Sequence, residues 1–472
     1  MKVMLIQPPF TILRQESKKC HPPLGLAYLA ACVKNAGFDV YILDALAEGY
    51  ENTERVDKNF IRYGLSFDEI REKVASVKPD VVGVSCLFSA QAENVHRICR
   101  VIKEAVPGIV TVIGGAHPTS AREESLSDNN VDFIVIGEGE SIFAELLRRL
   151  ECGMSYRDIA GLGYKENGFI KINERVNYEN NLDFLPFPLW EAFPLHRYHR
   201  INNPHGSPAK RVPYLPVVTS RGCPFECVFC SIRSLWGPEY RKRSAGNVLN
   251  ELKYLRSKFG VKEIFFEDDN LIVDKNRAED IFRGIIDDGL DLLWSTPNGV
   301  TIDSLNNELL SLMKKSGCYS ISMGIESGDP VVLKDMVKKP VDIFKAVCLI
   351  KKARKLGIET SVFFVVGFPG EGVTEIKKTF DAARRLGADY TNFFFATPLP
   401  GTRLLELCRQ RGLVGKQLDY NRLKSNMPYF DNGLVTMHEL FSLVRREKIK
   451  LYFLYLLKHP LKFFNRLAKR YA

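Results

Sequence analysis

Three cysteines, Cys223, Cys227 and Cys230, are spaced so that one loop could bring all of them to a single inorganic cofactor. The short apolar run at 214–219 predicts a buried strand, so the cysteines lie on the loop that leaves the end of that strand. Thiolates are soft ligands that suit iron–sulfur clusters. A cubane cluster needs a ligand for each of its four irons, and this loop offers three thiolates. The pattern therefore predicts a cluster with one iron open to a small molecule.

Two other interpretations of the cysteine loop remain open at this point. The loop could hold a zinc ion, which would need a fourth Cys or His close by. His205 is the nearest candidate upstream, and its spacing is poor. The cysteines could also be reduced thiols without any metal. The spacing favours the cluster over both alternatives.

The cysteine loop resembles the signature of the radical S-adenosylmethionine enzymes, in which the amino and carboxylate groups of S-adenosylmethionine chelate the open iron. Phe229, an aromatic residue directly before the last cysteine, fits the same signature. The resemblance implies that Cys223, Cys227 and Cys230 hold a [4Fe–4S] cluster. It also implies that Phe229 lies beside the bound S-adenosylmethionine.

Strands and helices alternate after the cysteine loop, over residues 211–412. Six short apolar runs predict strands, and segments with helical apolar spacing separate them. The predicted strands are 214–219, Glu263–Phe266, 292–295, 319–323, 360–366 and Tyr390–Phe395. Six parallel strands are enough for a partial (βα)6 barrel, whose active groups lie on the loops after the strands.

Four of the loops after those strands carry polar residues, glycine or proline. They are 267–270, 324–328, 367–371 and 398–402. Each resembles an element of the radical S-adenosylmethionine family, which implies that Glu326 accepts hydrogen bonds from the ribose hydroxyls. By the same resemblance the backbone of Gly367 and Pro369 lies near the adenine, and Pro398 belongs to the same site. Asp268 is expected to hold the methionine ammonium or the substrate, although each loop taken singly could be a plain turn.

Residues 1–150 show the same alternation of strands and helices. The predicted strands are 2–6, 39–43, 80–85, 109–113 and 132–136. This rhythm predicts a doubly wound parallel sheet, so the fold class of the chain is α/β. Ligands of such sheets bind at the carboxyl ends of the strands.

Loops at those strand ends resemble the Ser-x-Leu and Gly-Gly elements of cobalamin-binding domains, where small residues let a bulky nucleotide tail lie against the backbone. The third usual element, Asp-x-His-x-x-Gly, is absent, and Pro8-Pro9 stands in its place, so no histidine of this loop can ligate cobalt. The cobalamin contacts implied by the resemblance are Pro8, Pro9, Ser85, Leu87, Gly114, Gly115, His117, Gly137 and Glu138.

The alternative for residues 1–150 is a flavodoxin-like domain with another ligand or none. His117 could approach the corrin edge or a substrate, or it could be an ordinary hydrogen-bonded loop histidine. His21, which precedes two prolines, has the same ambiguity. A cobalamin-type domain directly before a radical S-adenosylmethionine loop resembles the cobalamin-dependent branch of that family, which favours the cobalamin interpretation.

Two further segments complete the chain. Residues 151–210 predict an irregular connector with a hairpin at Asn167-Gly168 and an apolar strap at 185–190 that docks one domain on the other. Residues 413–472 predict a helical, basic tail. The apolar face within 461–471 suits either an interfacial helix on anionic lipid or a helix packed over the barrel.

Composition excludes several classes of protein. Of 472 residues 45% are hydrophobic, and no run reaches the roughly 18–20 apolar residues that a membrane span needs. The net charge is +10, but nine of the basic residues lie in 441–472, so the body is near neutral and nucleic-acid binding is not expected. Eleven scattered cysteines and the lack of a visible cleavable signal indicate the cytoplasm, with the tail as a possible peripheral membrane contact.

Together the two resemblances imply an enzyme that uses a [4Fe–4S] cluster, S-adenosylmethionine and cobalamin to methylate an unactivated carbon of a small or hydrophobic molecule. Its other partner would be a one-electron donor such as flavodoxin or ferredoxin. One alternative is a cobalamin-assisted radical oxidation or cyclisation, as in an anaerobic porphyrin-ester cyclase. An alternative of another class is a cobalamin-binding sensor with a structural cluster.

Overall fold

The structure is a computed structural model that describes residues 1–175, 178–339 and 341–458. The strands of its first domain are β1 (Lys2–Gln7), β2 (Phe10–Leu13), β3 (Asp39–Asp44), β4 (Thr53–Arg55), β5 (Phe60–Tyr63), β6 (Val81–Ser85), β7 (Val110–Gly114), β8 (Phe133–Val135), β9 (Leu162–Glu166) and β10 (Phe169–Ile172). The helices are α1 (Leu24–Asn35), α2 (Ala45–Glu48), α3 (Phe67–Val77), α4 (Ala92–Ala105), α5 (Ala116–Ser120), α6 (Arg122–Ser127) and α7 (Gly139–Glu151).

The first domain is a doubly wound parallel sheet, as the sequence predicted. Strands β3, β1, β6, β7 and β8 lie side by side and run parallel. Val3 and Leu5 of β1 share a core with α1 and α7, whereas Met4 and Ile6 share a second core with α3 and α4. Successive side chains of a strand point to opposite faces, so this split places helices on both sides of the sheet.

The hairpin predicted at Asn167-Gly168 joins β9 to β10. Both turn residues have positive φ, at 51° and 80°, which is the conformation that a two-residue hairpin turn needs. Strand β9 pairs antiparallel with β8. The first sheet therefore has seven strands and extends past residue 150 into the range that the sequence assigned to the connector.

The connector also holds the two domains together. After the hairpin it forms α8 (Leu195–Ile201). Within the predicted strap, the N–H of Leu189 donates to the carbonyl of Ala27 in the first domain, at 3.0 Å, and Trp190 is fully buried. The ring of Phe187 contacts Tyr254 of the second domain, with 5.7 Å between centroids. The segment docks against both domains.

The strands of the second domain are β11 (Tyr214–Val217), β12 (Ser220–Arg221), β13 (Arg241–Lys242), β14 (Glu263–Phe266), β15 (Leu293–Val300), β16 (Cys318–Glu326), β17 (Glu359–Val366) and β18 (Tyr390–Phe395). The helices are α9 (Ile232–Trp236), α10 (Ala245–Phe259), α11 (Lys275–Asp287), α12 (Asn307–Lys315), α13 (Pro330–Val332), α14 (Ile343–Lys355), α15 (Val373–Leu386) and α16 (Arg403–Gln410).

Six parallel strands in the order β11-β14-β15-β16-β17-β18 form the partial barrel that the sequence predicted. Two strands run further than expected. Strand β15 continues to Val300 and β16 to Glu326, and register shifts occur where these strands pair with their neighbours. Glu326 consequently belongs to the end of a strand rather than to the loop after it.

Helix α17 (Met437–Lys458) is the last described element. Leu440 and Val444 in its first half are buried in the core, and buried Glu447 pairs with Arg384. Further along, Phe453 and Leu457 are 58% and 75% exposed. The predicted apolar face at 461–471 lies outside the described residues. Among the described helices, none is both long enough and apolar enough to cross a bilayer.

Candidate active site

The cysteine loop is closed at its neck by a short β-ladder. Strands β12 and β13 pair antiparallel, with Arg221 opposite Arg241, so residues 222–240 form one closed loop. Gly222 has a φ of 84°, and a Cβ there would lie 2.3 Å from the carbonyl oxygen of Glu239. Only glycine fits that turn, which begins the cysteine motif.

Two aspartates anchor the root of the loop. The buried carboxylate of Asp268 accepts hydrogen bonds from the N–H and hydroxyl of Thr219 and from the hydroxyl of Ser220. Asp269 accepts from the N–H of Gly222 at 3.1 Å. Asp268 thus has a structural task that the sequence did not reveal, and its contact with the methionine ammonium or the substrate stays a prediction.

The three cysteines have the chemistry that a cluster needs. Cys223, Cys227 and Cys230 are free and partly buried on one loop. Burial raises the pKa of Cys227 and Cys230 to about 12, so cluster assembly must remove their protons. Each thiolate of a cubane cluster binds a different iron, so a cluster does not require its ligands to meet at one point. Nowhere in the described ranges do three Cys, His, Asp or Glu side chains lie close enough together to hold a single metal ion.

His205, the candidate fourth ligand for zinc, has a different neighbour. Its Nδ1 lies 3.5 Å from Oε2 of Glu267, at the end of β14. Asn298 donates to the same carboxylate oxygen at 3.0 Å. Burial lowers the pKa of His21 to about 4, and the nearby charge of Glu267 acts in the opposite direction. Both histidines therefore line the edge of the barrel mouth beside Glu267.

Glu326 reaches the neighbourhood of the cysteines together with a lysine that sequence reasoning missed. Lys339 Nζ lies 2.7 Å from Glu326 Oε1, and both side chains are largely buried. Burial alone would lower the pKa of Lys339, but the Glu326 carboxylate overcomes it and raises the pKa. The backbone of Glu326 has a φ of 66°, which is unusual for a residue with a side chain. No local pattern marks Lys339, because its partner is set by the path of the chain after β16.

The loop after β17 packs directly on the cysteine loop. The carboxylate of Glu371 accepts from the N–H groups of Gly367, at 2.6 Å, and Phe368, at 3.0 Å. Its other oxygen has no hydrogen-bond partner in the part of the chain that the structure describes, and burial raises the pKa of Glu371 to about 7. The rings of Phe229 and Phe368 lie 5.8 Å apart. Phe229 therefore fastens the cysteine loop to this turn.

Residues after Pro398 hold the same loop from another side. Pro398 itself is buried, and the N–H of Leu404, at the start of α16, donates to the carbonyl of Val228 at 2.7 Å. The carbonyl of Pro369 accepts from Arg411 at 2.9 Å. The predicted elements after β16, β17 and β18 thus gather around the cysteine loop. Their contacts with S-adenosylmethionine stay predictions.

The two glycines after β7 differ in what surrounds them. A Cβ on Gly115, whose φ is 113°, would lie 2.8 Å from the carbonyl oxygen of Cys86, whereas a Cβ on Gly114 would meet only Val135 at 3.8 Å. Gly115 is therefore required by the close approach of two protein loops. The backbone at Gly114 is thus less crowded than that at Gly115, and its contact with cobalamin stays a prediction. Leu87, predicted beside it, is 48% exposed.

The loops after β1 and β6 have a polar support behind them. Pro8 and Pro9 are buried, and the carbonyl of Pro9 accepts from Asn94 at 3.0 Å. Ser85 closes β6. These positions lie at the carboxyl edge of the sheet, as predicted, and their contacts with cobalamin stay predictions.

His117 is a buried, hydrogen-bonded histidine in the short helix α5, and its contact with cobalamin stays a prediction. Its side chain is 2% exposed, and Nδ1 lies 3.0 Å from the hydroxyl of Ser89. The edge of its ring contacts Tyr420. Burial lowers the pKa of His117 to about 4. The ring packs the first domain against the segment after the barrel.

Glu138, predicted as a cobalamin contact, is engaged by three arginines. Its oxygens lie 3.0 Å from Arg175, 3.1 Å from Arg221 and 2.6 Å from Arg241. Gly137 has a φ of 74°, and a Cβ there would lie 3.2 Å from the carbonyl oxygen of Leu235, in the other domain. Sequence reasoning placed both residues at the correct sheet edge but did not foresee that the other domain meets this loop, and their contacts with cobalamin stay predictions.

The carboxyl edges of the two sheets face each other. Ser120, after β7, lies 3.3 Å from Ser234 within the cysteine loop, and Glu138, after β8, reaches its neck. Lys424, beyond the barrel, donates to the carbonyl of Thr11 at 3.0 Å. Contacts on several sides thus bring the carboxyl ends of the two sheets together.

Comparison with known proteins agrees with this arrangement. Residues 10–147 match the B12 binding domain, and residues 217–412 match the radical SAM superfamily. The chain is 35% identical over 457 residues to cytidylyl-2-hydroxyethylphosphonate methyltransferase of Streptomyces wedmorensis, covering 89% of this chain and 84% of that protein. It is 29% identical to the anaerobic magnesium-protoporphyrin IX monomethyl ester cyclase of Rubrivivax gelatinosus, covering 86% and 70%.

The fold is similar to that of OxsB, a cobalamin-dependent S-adenosylmethionine radical enzyme solved with aqua-cobalamin and S-adenosylmethionine bound. The TM-score is 0.74 at 17% identity, over 96% of this chain and 70% of that one. The three free thiols on one loop, the uncrowded backbone at Gly114 and the contact between the two strand-end edges fit the cofactors of this group. The chain therefore belongs to the cobalamin-dependent radical S-adenosylmethionine methyltransferase family, whose cofactors are cobalamin, a [4Fe–4S] cluster and S-adenosylmethionine.

Proposed function

We propose that the protein methylates an unactivated carbon of a small molecule that carries both a ring and polar groups. The observation that supports this most is the contact between the carboxyl ends of the two sheets, because radical formation and methyl delivery must reach the same carbon. When bound, S-adenosylmethionine and the cluster supply the hydrogen-removing radical, and cobalamin supplies the methyl group.

The chain's own residues would hold and orient the cofactors. Cys223, Cys227 and Cys230 would bind the cluster, and Glu326 would accept the ribose hydroxyls of S-adenosylmethionine. The turn at Gly367 and Pro369 would take the adenine. Behind it lies the Glu371 oxygen that has no hydrogen-bond partner among the described residues. A general base is not needed for the hydrogen abstraction.

The inner wall of the barrel supports the choice of substrate class. The rings of Phe364 and Phe393 stack, and Phe393 packs on Phe380 of α15, so these side chains point outward. Alternation along the strands places their neighbours Phe363 and Phe394 on the inner face, where the two rings lie 5.6 Å apart.

Polar groups share that inner wall. Asn392 donates to the hydroxyl of Ser361 at 3.2 Å, two positions before the aromatic pair on each strand and therefore on the same face. Aromatic rings beside an amide suit a nucleobase or another polar ring. We infer that a cytidylylated hydroxyethylphosphonate, the compound named for the similar Streptomyces enzyme, is the first substrate to test.

The test is an anaerobic reaction with dithionite, cytidylyl-2-hydroxyethylphosphonate and S-adenosylmethionine that carries a deuterated methyl group. The expected result is 5′-deoxyadenosine together with a product that has gained the labelled methyl group. Formation of 5′-deoxyadenosine with a dehydrogenated or cyclised, unlabelled product would instead support the oxidative alternative seen in the cyclase relatives. A protein that produces no 5′-deoxyadenosine under any condition would be the cobalamin-binding sensor.

We also infer the surroundings in which the enzyme works. A one-electron donor such as flavodoxin or ferredoxin would reduce the cluster, and an oxygen-sensitive cluster would favour a cytoplasmic location. The exposed end of α17, with Phe453 and Leu457 beside Lys450, could contact an anionic membrane surface peripherally. Co-sedimentation with phosphatidylglycerol vesicles tests this contact, and no difference from phosphatidylcholine vesicles would contradict it.

A further inference from the structure

A single carboxylate of the first domain grips both sides of the neck of the cysteine loop. Arg221 and Arg241 are register partners across the β12–β13 ladder, one before and one after the cysteines. The same oxygen of Glu138, Oε1, lies 3.1 Å from Arg221 and 2.6 Å from Arg241. The two strands that close the loop are therefore tied to one point on the other domain.

These ion pairs are buried, and further charged and carbonyl groups bind the same side chains. Glu138, Arg221 and Arg241 are each no more than 5% exposed. Arg221 also pairs with Glu140, and Arg175 of the connector binds the other oxygen of Glu138. Arg241 donates further to the carbonyls of Glu179 and Trp236. Charge-assisted hydrogen bonds on planar guanidinium groups fix direction as well as distance, which ordinary apolar packing does not.

The position of Glu138 along the chain indicates what its ion pairs can do. It directly follows Gly137 in the loop after β8, at the carboxyl edge of the first sheet, where ligands of this fold bind. A displacement of that loop by a bound ligand would be passed through one residue to the neck that carries the cysteines.

We propose that Glu138 is a positioning residue that sets the separation and orientation of the cysteine loop relative to the first sheet. The proposal rests on the function proposed above only in that both cofactors must be present at once. It assigns a task in the known chemistry to a residue that contacts neither cofactor through its carboxylate, because those oxygens are already occupied by arginines.

The test measures geometry without a substrate. In protein loaded with cob(II)alamin and a reduced [4Fe–4S] cluster, both centres are paramagnetic, and their magnetic interaction reports their distance and orientation by EPR. We expect Glu138→Gln to bind both cofactors in wild-type amounts but to show a weakened or broadened interaction. We expect a fall in 5′-deoxyadenosine formation of about tenfold, because misplacement of about an ångström is costly in catalysis.

The matched control is Glu174→Gln, which removes an exposed carboxylate that pairs with Arg122 in the same interdomain region of sequence. It should leave the EPR interaction unchanged. If Glu138→Gln does not fold, Arg241→Lys keeps the charge but cannot bridge Glu138 and the Trp236 carbonyl, and it should broaden the interaction in the same way. An unchanged interaction in the folded variant, with only a lower melting temperature, would overturn the proposal. Failure to methylate any given substrate would not bear on it.

Discussion

The strand-end loops of the barrel and those of the first sheet are built for opposite purposes. In the barrel, side chains carry the site: the cysteines, Glu326 and the turn before Glu371 gather in one place. In the first sheet, the side chains at the strand ends face the other domain. Glu138 binds arginines, and His117 packs under Tyr420.

The reason for this difference is the kind of ligand each sheet takes. A cluster and an amino-acid-bearing cofactor need thiolates and carboxylates, which only side chains provide. A flat ligand that lies against a sheet edge needs empty space beside backbone, as at Gly114. Polar side chains in the first sheet are then free to hold the domains together. A polar residue at a predicted strand end is therefore good evidence that the residue lies at the carboxyl edge of the sheet. It is weak evidence that the residue contacts a ligand.

The largest effect should follow from removing a barrel side chain that ligates iron. Cys227→Ser should abolish the brown chromophore and reduce S-adenosylmethionine cleavage by roughly a hundredfold or more, because the loop then offers too few thiolates. The check is iron and sulfide content together with 5′-deoxyadenosine formation. Cys348→Ser, at an exposed cysteine on α14, should change neither. Retained cleavage in Cys227→Ser would break the comparison on the barrel side.

The glycine pair tests the first-sheet side. Gly115→Ala forces a Cβ against the Cys86 carbonyl at positive φ and should cost about 3 kcal/mol of unfolding free energy. Gly114→Ala should fold normally, because its Cβ would meet Val135 at an ordinary contact distance of 3.8 Å, yet bind cobalamin more weakly. Denaturant unfolding and cobalamin absorbance measure the two effects. Tight cobalamin binding by Gly114→Ala would show that the ligand does not use this space.

A smaller effect is expected at the Glu326–Lys339 pair. Glu326→Gln should raise the KM for S-adenosylmethionine about tenfold, roughly 1.4 kcal/mol, with kcat for 5′-deoxyadenosine changed less, because a ribose contact contributes mainly to binding. Asp335→Asn, an exposed acid in the neighbouring segment, is the control and should have no effect. Equal losses for both variants would mean that Glu326 acts through general charge rather than as a ligand.

The smallest effect concerns a bond between the connector and the first domain, outside both sets of loops. Tyr198 donates its hydroxyl to Asp44 at 2.5 Å, and burial raises the pKa of Asp44 to about 6 while this bond opposes the shift. Above pH 6 Asp44 is charged in the folded protein, and the hydroxyl stabilises that charge. Near pH 4 the carboxyl is neutral and the bond matters less.

Tyr198→Phe should therefore lower the unfolding free energy by about 1 kcal/mol at pH 8 and by less at pH 5. Denaturant titrations at the two pH values provide the measurement. A larger loss at pH 5 would mean that the hydroxyl bonds the neutral acid instead. Cofactor content should be unaffected, which separates bonds that hold the domains from bonds that place the site.

By itself, the sequence determined the parts whose physics is local. The spacing of the cysteines, the order of the strands and the turn at Asn167-Gly168 depend on neighbours along the chain, and the structure contains the predicted parallel sheet and six-stranded barrel. The cofactor set followed from the family resemblance that those motifs carry.

Only the tertiary structure decided which side chains hold the sheet and the barrel together. Glu138 meets Arg221 and Arg241 across about eighty to a hundred intervening positions, and Lys339 meets Glu326 across the short helical segment that follows β16. Such pairings depend on how two folded surfaces meet, and a carboxylate that binds arginine has the same local pattern as one that binds a ligand.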